Sequence, residues 1–107
     1  MAVASALEDE GMDVVRVSDG SKVLSTLAKQ DFDLVLLDLI LPVRNGFKIL
    51  EDMKKKKIHV PVLIFTNLSQ EKDRSEAMRL GAKEYHVKSN LSIDQVVSLV
   101  NKYTSKK

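Results

Sequence analysis

Apolar residues along this chain gather in short runs separated by polar, glycine-containing breaks, and the two densest runs, Leu34–Leu37 and Val60–Phe65, are continuous rather than alternating. Continuous apolar runs of this length that contain β-branched residues predict strands buried on both faces. The first is entered from Asp31-Phe32-Asp33 and runs straight into Asp38, with Pro42 four positions later. The second carries Pro61 near its start, where a lost ladder donor does least harm, and ends at Thr66-Asn67. Asp13–Val17 alternates enough to predict another strand, and Glu84–Val87 predicts a short one leading to Lys88.

Between these runs the period changes to that of a helix. Met1–Glu10 has a weak stripe of Val3, Leu7 and alanines, and Gly11 suits a left-handed C-terminal position. Ser18-Asp19-Gly20-Ser21 is turn chemistry that can also cap the helix carrying Val23, Leu24, Leu27 and Ala28. Asn45-Gly46 predicts a tight turn before a helix with Phe47, Leu50 and Met53 on one face. Ser69 with Glu71 opens a helix bearing Ala77, Met78 and Leu80, which Gly81 closes. Ser92 and Gln95 form a capping box, and Ile93, Val96, Val97 and Val100 fall at i, i+3, i+4 and i+7. The order is α-β-α-β-α-β-α-β-α, which predicts an α/β fold: crossover connections, a parallel sheet and helices on both faces.

Composition narrows the possibilities. A chain of 107 residues has room for one domain with one modest core. Seventeen basic and fifteen acidic residues leave a formal charge of +2, so no strong field points to nucleic acid or an anionic membrane. Lys54-Lys55-Lys56-Lys57 has no aromatic neighbours for base stacking and reads as a solvated helix end, and Glu8-Asp9-Glu10 as solvated surface rather than a metal site. The absence of cysteine excludes disulfides and thiolate chemistry. No apolar run is long enough for a membrane span and no secretion signal opens the chain, so a cytoplasmic location is expected.

In a parallel sheet the strand ends at Asp38, Thr66 and Lys88 lie on one edge, where open α/β sheets place their chemistry. A carboxylate can take a phosphoryl group as an acyl phosphate, an ammonium can neutralise phosphoryl oxygens, and a hydroxyl can donate to one. Each alone has a blander reading: Asp38 as a turn cap, Thr66 as a turn residue, Lys88 as a solvated side chain. A small hydrolase or phosphatase using Asp38 would need a companion general acid, which the motif lacks. A flavin or dinucleotide carrier would need a phosphate loop after its first strand, also lacking.

These segments resemble the receiver domain of response regulators, a CheY-like, flavodoxin-like fold. Leu36-Leu37-Asp38-Leu39-Ile40-Leu41-Pro42 with Asn45-Gly46 is similar to the family's phosphoacceptor strand and loop. Ile64-Phe65-Thr66-Asn67 is similar to its fourth strand, and Gly81–Lys88 to its fifth. Val17-Ser18-Asp19-Gly20 is similar to the end of its second strand. The resemblance implies that Asp38 accepts a phosphoryl group from a histidine kinase or phosphotransfer protein, with Mg²⁺ bridging carboxylate and phosphoryl oxygens. It implies that Thr66 and Tyr85 switch the face of the last two helices toward a downstream protein, and that Asn67 tunes access of water. Lys88 is followed by Ser89 where the family commonly has proline. The first family strand and its acidic metal-holding pair have no counterpart ahead of the first helix, so one receiver-like domain over 1–107, truncated at its N-terminus, with four strands and an incomplete Mg²⁺ site on Asp38 is expected. Such a domain is a signalling module rather than a turnover enzyme, or, as an alternative, a pseudo-receiver that binds protein without phosphotransfer. The strand row left open beside Leu34–Leu37 predicts a homodimer rather than an ordinary monomer.

Overall fold

Two apolar layers, one on each side of a parallel sheet, hold the chain together. The computed structural model describes residues 3–104. Three strands form the sheet in the order β1-β2-β3: β1 (Val35–Leu37), β2 (Val62–Thr66) and β3 (Glu84–Val87). Val35 pairs with Val62 and Leu37 with Ile64, while Leu63 pairs with Glu84 and Thr66 with Val87. The helices are α1 (Val3–Asp9), α2 (Val23–Lys29, entered through a 3-10 turn at Gly20–Lys22), α3 (Gly46–Lys55), α4 (Glu71–Arg79) and α5 (Ile93–Thr104).

The period of two along each strand sorts its side chains between the layers. Val35, Leu37, Val62, Ile64 and Tyr85 pack with Val23 of α2, Ile49, Leu50 and Met53 of α3, and Ala77 of α4. Leu34, Leu36 and Phe65 pack on the other side with Val3 and Leu7 of α1 and Val96 and Val100 of α5. β2, covered on both faces and both edges, is buried along its whole length, as its continuous apolar run predicts.

Most of the local chemistry behaves as its residues dictate. Gly11 and Gly81 take positive φ values of 88° and 110° just past α1 and α4. Ser92 and Gln95 exchange the two bonds of a capping box, at 2.8 and 3.2 Å. The Glu8–Glu10 cluster and the Lys54–Lys57 run are exposed. Two expectations need correction. Asn45 is the N-cap of α3, its side chain accepting from the Lys48 amide at 3.0 Å, and Gly46 already belongs to the helix. Ser69 does not open α4, whose N-cap is Gln70 without a side-chain bond. The helix expected over Met1–Glu10 is observed as Val3–Asp9, Met1 and Ala2 lying outside the described residues.

The larger correction concerns the sheet, which among the described residues has three strands where four were expected. Asp13–Val17 has no ladder partner, and β1 is an edge strand with Val35 and Leu36 only half-buried. The segment is held at both ends away from β1. Met12 and Val14 pack in the α1/α5 layer, and Val17 in the opposite one. Beyond them the Gly20 amide donates to the Pro42 carbonyl at 3.0 Å. Since Pro42 follows β1, the segment runs alongside β1 in the same direction, with a cleft between.

Gly46 is fixed by close approach. Its amide donates to the Leu39 carbonyl at 2.9 Å, and an added Cβ would lie 2.7 Å from Leu39 Cα and 2.8 Å from the Asp38 carbonyl oxygen. Glycine-to-alanine inside a helix ordinarily stabilises by about 1 kcal/mol. Here the contact is with backbone that cannot give, so Gly46→Ala is expected to destabilise by about 1–3 kcal/mol in urea denaturation.

Candidate functional site: the carboxyl edge of the sheet

Parallel register brings the ends of the three strands to one edge, with β2 between β1 and β3. Asp38 follows β1 directly, Thr66 closes β2, and Lys88 follows β3 in a 3-10 turn, Lys88–Asn90. Lys88 reaches across the end of β2, and its Nζ donates to Asp38 Oδ2 at 2.6 Å. The other carboxylate oxygen accepts from the Ile40 amide at 3.0 Å. Thr66 is wholly buried. Its hydroxyl faces the same carboxylate and also accepts from the Leu68 amide at 3.3 Å. Asp38 does cap the turn after β1 through the Ile40 amide, but Lys88 is not simply a solvated side chain: both residues are half-buried and bonded to each other.

Burial pushes the Asp38 carboxyl up, but the hydrogen bonds from Lys88, the Ile40 amide and Thr66 together outweigh it and hold the group below the ordinary carboxylate range. An ionised carboxylate beside an ammonium, still a quarter exposed, is what an attack on a phosphoryl phosphorus requires.

A second chain of contacts leaves the site. Tyr85, buried on β3, donates through its hydroxyl to the Leu68 carbonyl at 2.7 Å, the residue whose amide is bonded to Thr66. Burial, with the nearby Asp73 and Asp38 carboxylates, raises the Tyr85 pKa and keeps the phenol protonated as a donor. Asn67 is exposed beside Thr66. The Leu68 relay was not legible in the sequence because it works through backbone atoms that any residue supplies. Gly20 and Gly46 were read as turn residues, and only their close approaches show that they clamp the loop after Asp38.

That loop is strained. The Arg44 amide donates to the Pro42 carbonyl at 2.8 Å, and Val43 between them has φ 72° and is 79% exposed. A three-residue turn of this hand is rare, more so at a β-branched residue. The Gly20 amide on Pro42 and the ion pair from Arg44 to Asp52 of α3 hold it in place.

A doubly wound α/β domain with an aspartate, a buried threonine and a lysine on its carboxyl edge defines a phosphoacceptor class of protein. The model of the response regulator receiver domain family matches residues 1–101, and the chain belongs to that family, the receivers of two-component signal transduction. It is similar to the transcriptional regulatory protein CiaR of Streptococcus pneumoniae, 40% identical over 80 residues that make up 75% of this chain and 36% of the relative. It is also similar to the response regulator SaeR of Staphylococcus aureus, 35% identical over 94 residues, 88% of this chain and 40% of the relative. The chain thus spans well under half the length of these curated relatives. Among solved structures, a Francisella response regulator receiver domain superposes with a TM-score of 0.86 at 26% identity, covering 94% of this chain and 83% of that one. The beryllofluoride-activated receiver domain of Klebsiella pneumoniae RstA superposes at 0.87 and 24%, covering 97% and 87%, a likeness of fold. No helix among the described residues is long and apolar enough to cross a membrane.

Receiver domains of this family bind Mg²⁺ at the phosphorylation site. The residues here fit that ion poorly. Among the described residues no three carboxylate or imidazole groups converge, and both oxygens of Asp38 already accept hydrogen bonds. Mg²⁺ favours several oxygen ligands in near-octahedral array, which Asp38 alone does not offer.

The lowered Asp38 pKa gives a test of the pair. A carboxyl whose folded pKa lies below its unfolded value contributes stability that is present above the unfolded value, near 3.8, and lost as pH falls through the folded one. In Lys88→Met burial remains and its main opponent is gone, so the Asp38 carboxyl is expected to titrate at higher pH than in the wild type by carbon-detected NMR. The stability that the ionised Asp38 carboxylate contributes above about pH 4 in the wild type should disappear in the variant.

Proposed function

We propose that Asp38 is the phosphoacceptor, taking a phosphoryl group from a phosphohistidine of a sensor kinase or phosphotransfer protein. A carboxylate oxygen forms the new bond to phosphorus as the phosphorus–nitrogen bond breaks, and the pair of electrons leaves with the imidazole. Lys88 Nζ, already 2.6 Å from the carboxylate, neutralises the transferred oxygens, and the Thr66 hydroxyl donates to one of them. The observation that carries this reading is the convergence of Lys88 and Thr66 on a single carboxylate held ionised.

The response travels through Leu68. The Thr66 hydroxyl already accepts from the Leu68 amide, at a long 3.3 Å, so a rotation of Thr66 toward a phosphoryl oxygen draws it away from Leu68, whose carbonyl is the acceptor of Tyr85. Tyr85 lines a small cleft with Gln70, Arg74 and Leu91, between α4, β3 and the segment leading into α5. A downstream protein reads this face. Asn67, exposed next to Thr66, sits where it can govern approach of water to the acyl phosphate.

Treatment with acetyl phosphate, read by intact mass, tests the proposal. The wild-type chain should gain one phosphoryl group and Asp38→Asn none. An equal gain in both would move the site, and no gain in the wild type would favour a binding module without phosphotransfer. Thr66→Ala should keep the gain in mass but lose the accompanying NMR shift of the Tyr85 ring. Titration with Mg²⁺, followed by amide shifts around Asp38, should show only weak binding; tight binding would mean that a further carboxylate joins the site.

A further inference from the structure

Helices α1, α3 and α4 run back against the strands, so all three end at the amino edge of the sheet, opposite Asp38. The three ends close in the same way. The amide of Met12 donates to the Leu7 carbonyl at 3.2 Å, that of Ala82 to Ala77 at 3.1 Å, and that of Ile58 to Met53 at 2.9 Å. Just before each donor stands a left-handed residue: Gly11 with φ 88°, Gly81 with φ 110° and, after α3, Lys57 with φ 58°. Glycine holds this position without strain, whereas a residue with a Cβ crowds its own backbone there. α3 therefore closes on a side chain unsuited to its conformation, and what that side chain adds over glycine is reach and charge.

Lys57 completes a run. Lys54, Lys55, Lys56 and Lys57 are all exposed, and among the described residues none of the four ammoniums has an ion-pair partner. Lys83, also exposed and unpaired, stands at the same edge, its amide on the Val62 carbonyl at 2.8 Å where β2 begins. Cations in a last turn complement the helix dipole, which accounts for Lys54 and Lys55. The dipole does not call for two more lysines beyond the helix, one of them strained. Arg79, in the last turn of α4, is by contrast matched by Glu76 at 2.6 Å.

We propose that Lys54–Lys57, with Lys83, is a docking face for the phosphate backbone of a nucleic-acid duplex. The partner follows from what accompanies the charge. No large apolar residue is exposed between Lys54 and Pro61, and protein interfaces are depleted in lysine and held by buried aromatic and apolar groups. An acidic protein would find charge here and nothing to pack on. Single strands are held by bases stacked on successive aromatic rings, and the run is followed by one imidazole, His59, with no Phe, Tyr or Trp. A planar anionic membrane would meet the whole edge, including the exposed acidic end of α1, Glu8-Asp9-Glu10, which it repels. A duplex presents dense phosphates on a narrow rod, and contacts to them need neither a groove nor a stacking platform. Such contacts read no base sequence.

The test uses the full chain and a labelled DNA duplex of arbitrary sequence, followed by fluorescence anisotropy. Binding should be saturable at low salt. Four or five neutralised phosphates give a slope of about −3.6 to −4.5 in log affinity against log salt, a fall of about 150–500-fold between about 50 and 200 mM. Lys57→Gly should make the slope shallower by about 0.9 and also raise the urea midpoint, because glycine relieves the left-handed position. A lysine with only a structural role would raise the midpoint with binding unchanged, which would overturn the proposal. Lys55→Gln with Lys56→Gln should make the slope shallower by about 1.8. Lys22→Gln with Lys72→Gln removes the same charge from exposed positions at the opposite edge and should leave binding as it is. Absence of saturable binding, or equal losses in the two double variants, would overturn the proposal. So would tighter binding of a single strand of the same sequence, or of phosphatidylserine vesicles, than of the duplex.

Discussion

Everything chemical in this protein depends on the parallel register of three short strands. Leu37 opposite Ile64 and Thr66 opposite Val87 set the three strand ends on one edge. Strands in a sheet lie about 4.8 Å apart, so β1 and β3 are separated by about twice that. A lysine is the side chain long enough to cross the end of β2 and still place an ammonium on Asp38. A one-residue slip of β3 against β2 would turn Tyr85 and Lys88 to the opposite layer, and both the ion pair and the Leu68 relay would be lost. The register is in turn held by the packing beneath it, because β2 is buried on both faces and tolerates no displacement.

The site couples charge to packing through few atoms. Asp38 sits partly out of water, where its anion would be disfavoured, and three donors from three different elements restore it. A new group on that carboxylate must take over some of those donors. Lys88 belongs to the turn after β3 and Thr66 to the end of β2, next to the face bounded by α4 and α5. Glu84 shows how tightly that face is fastened. It is bonded to Tyr103 and Lys102 of α5 and to His86 beside it; the Tyr103 hydroxyl foremost, with His86 and Lys102, prevails over burial and holds its carboxyl down to about 2. Glu84 thereby fastens β3 to α5.

Much of this was legible in the sequence, and the reasons are physical. β2 announced itself because a strand covered on all sides must be apolar throughout, and α5 because its stripe and capping box agree. Asp38, Thr66 and Lys88 were legible because strand ends in a parallel sheet share an edge. What the sequence did not show was the fate of Asp13–Val17. Its alternation is that of a strand, but pairing depends on where its ends are anchored, and the Gly20–Pro42 and Met12–Val14 contacts are long-range. The Leu68 relay and the Gly46 contact were hidden for a related reason: they are made by backbone, which leaves no mark on residue type.

The account rests on Lys88 exchanging its partner from the Asp38 carboxylate to the group that arrives there. A structure of the beryllofluoride-treated chain at a resolution that places the Lys88 ammonium measures this directly. The account predicts the adduct on Asp38, with Lys88 Nζ and the Thr66 hydroxyl both within hydrogen-bond reach of its fluorines and the Leu68 amide released. An adduct on any other carboxylate, or one on Asp38 with the Lys88 and Leu68 contacts unchanged, would contradict it.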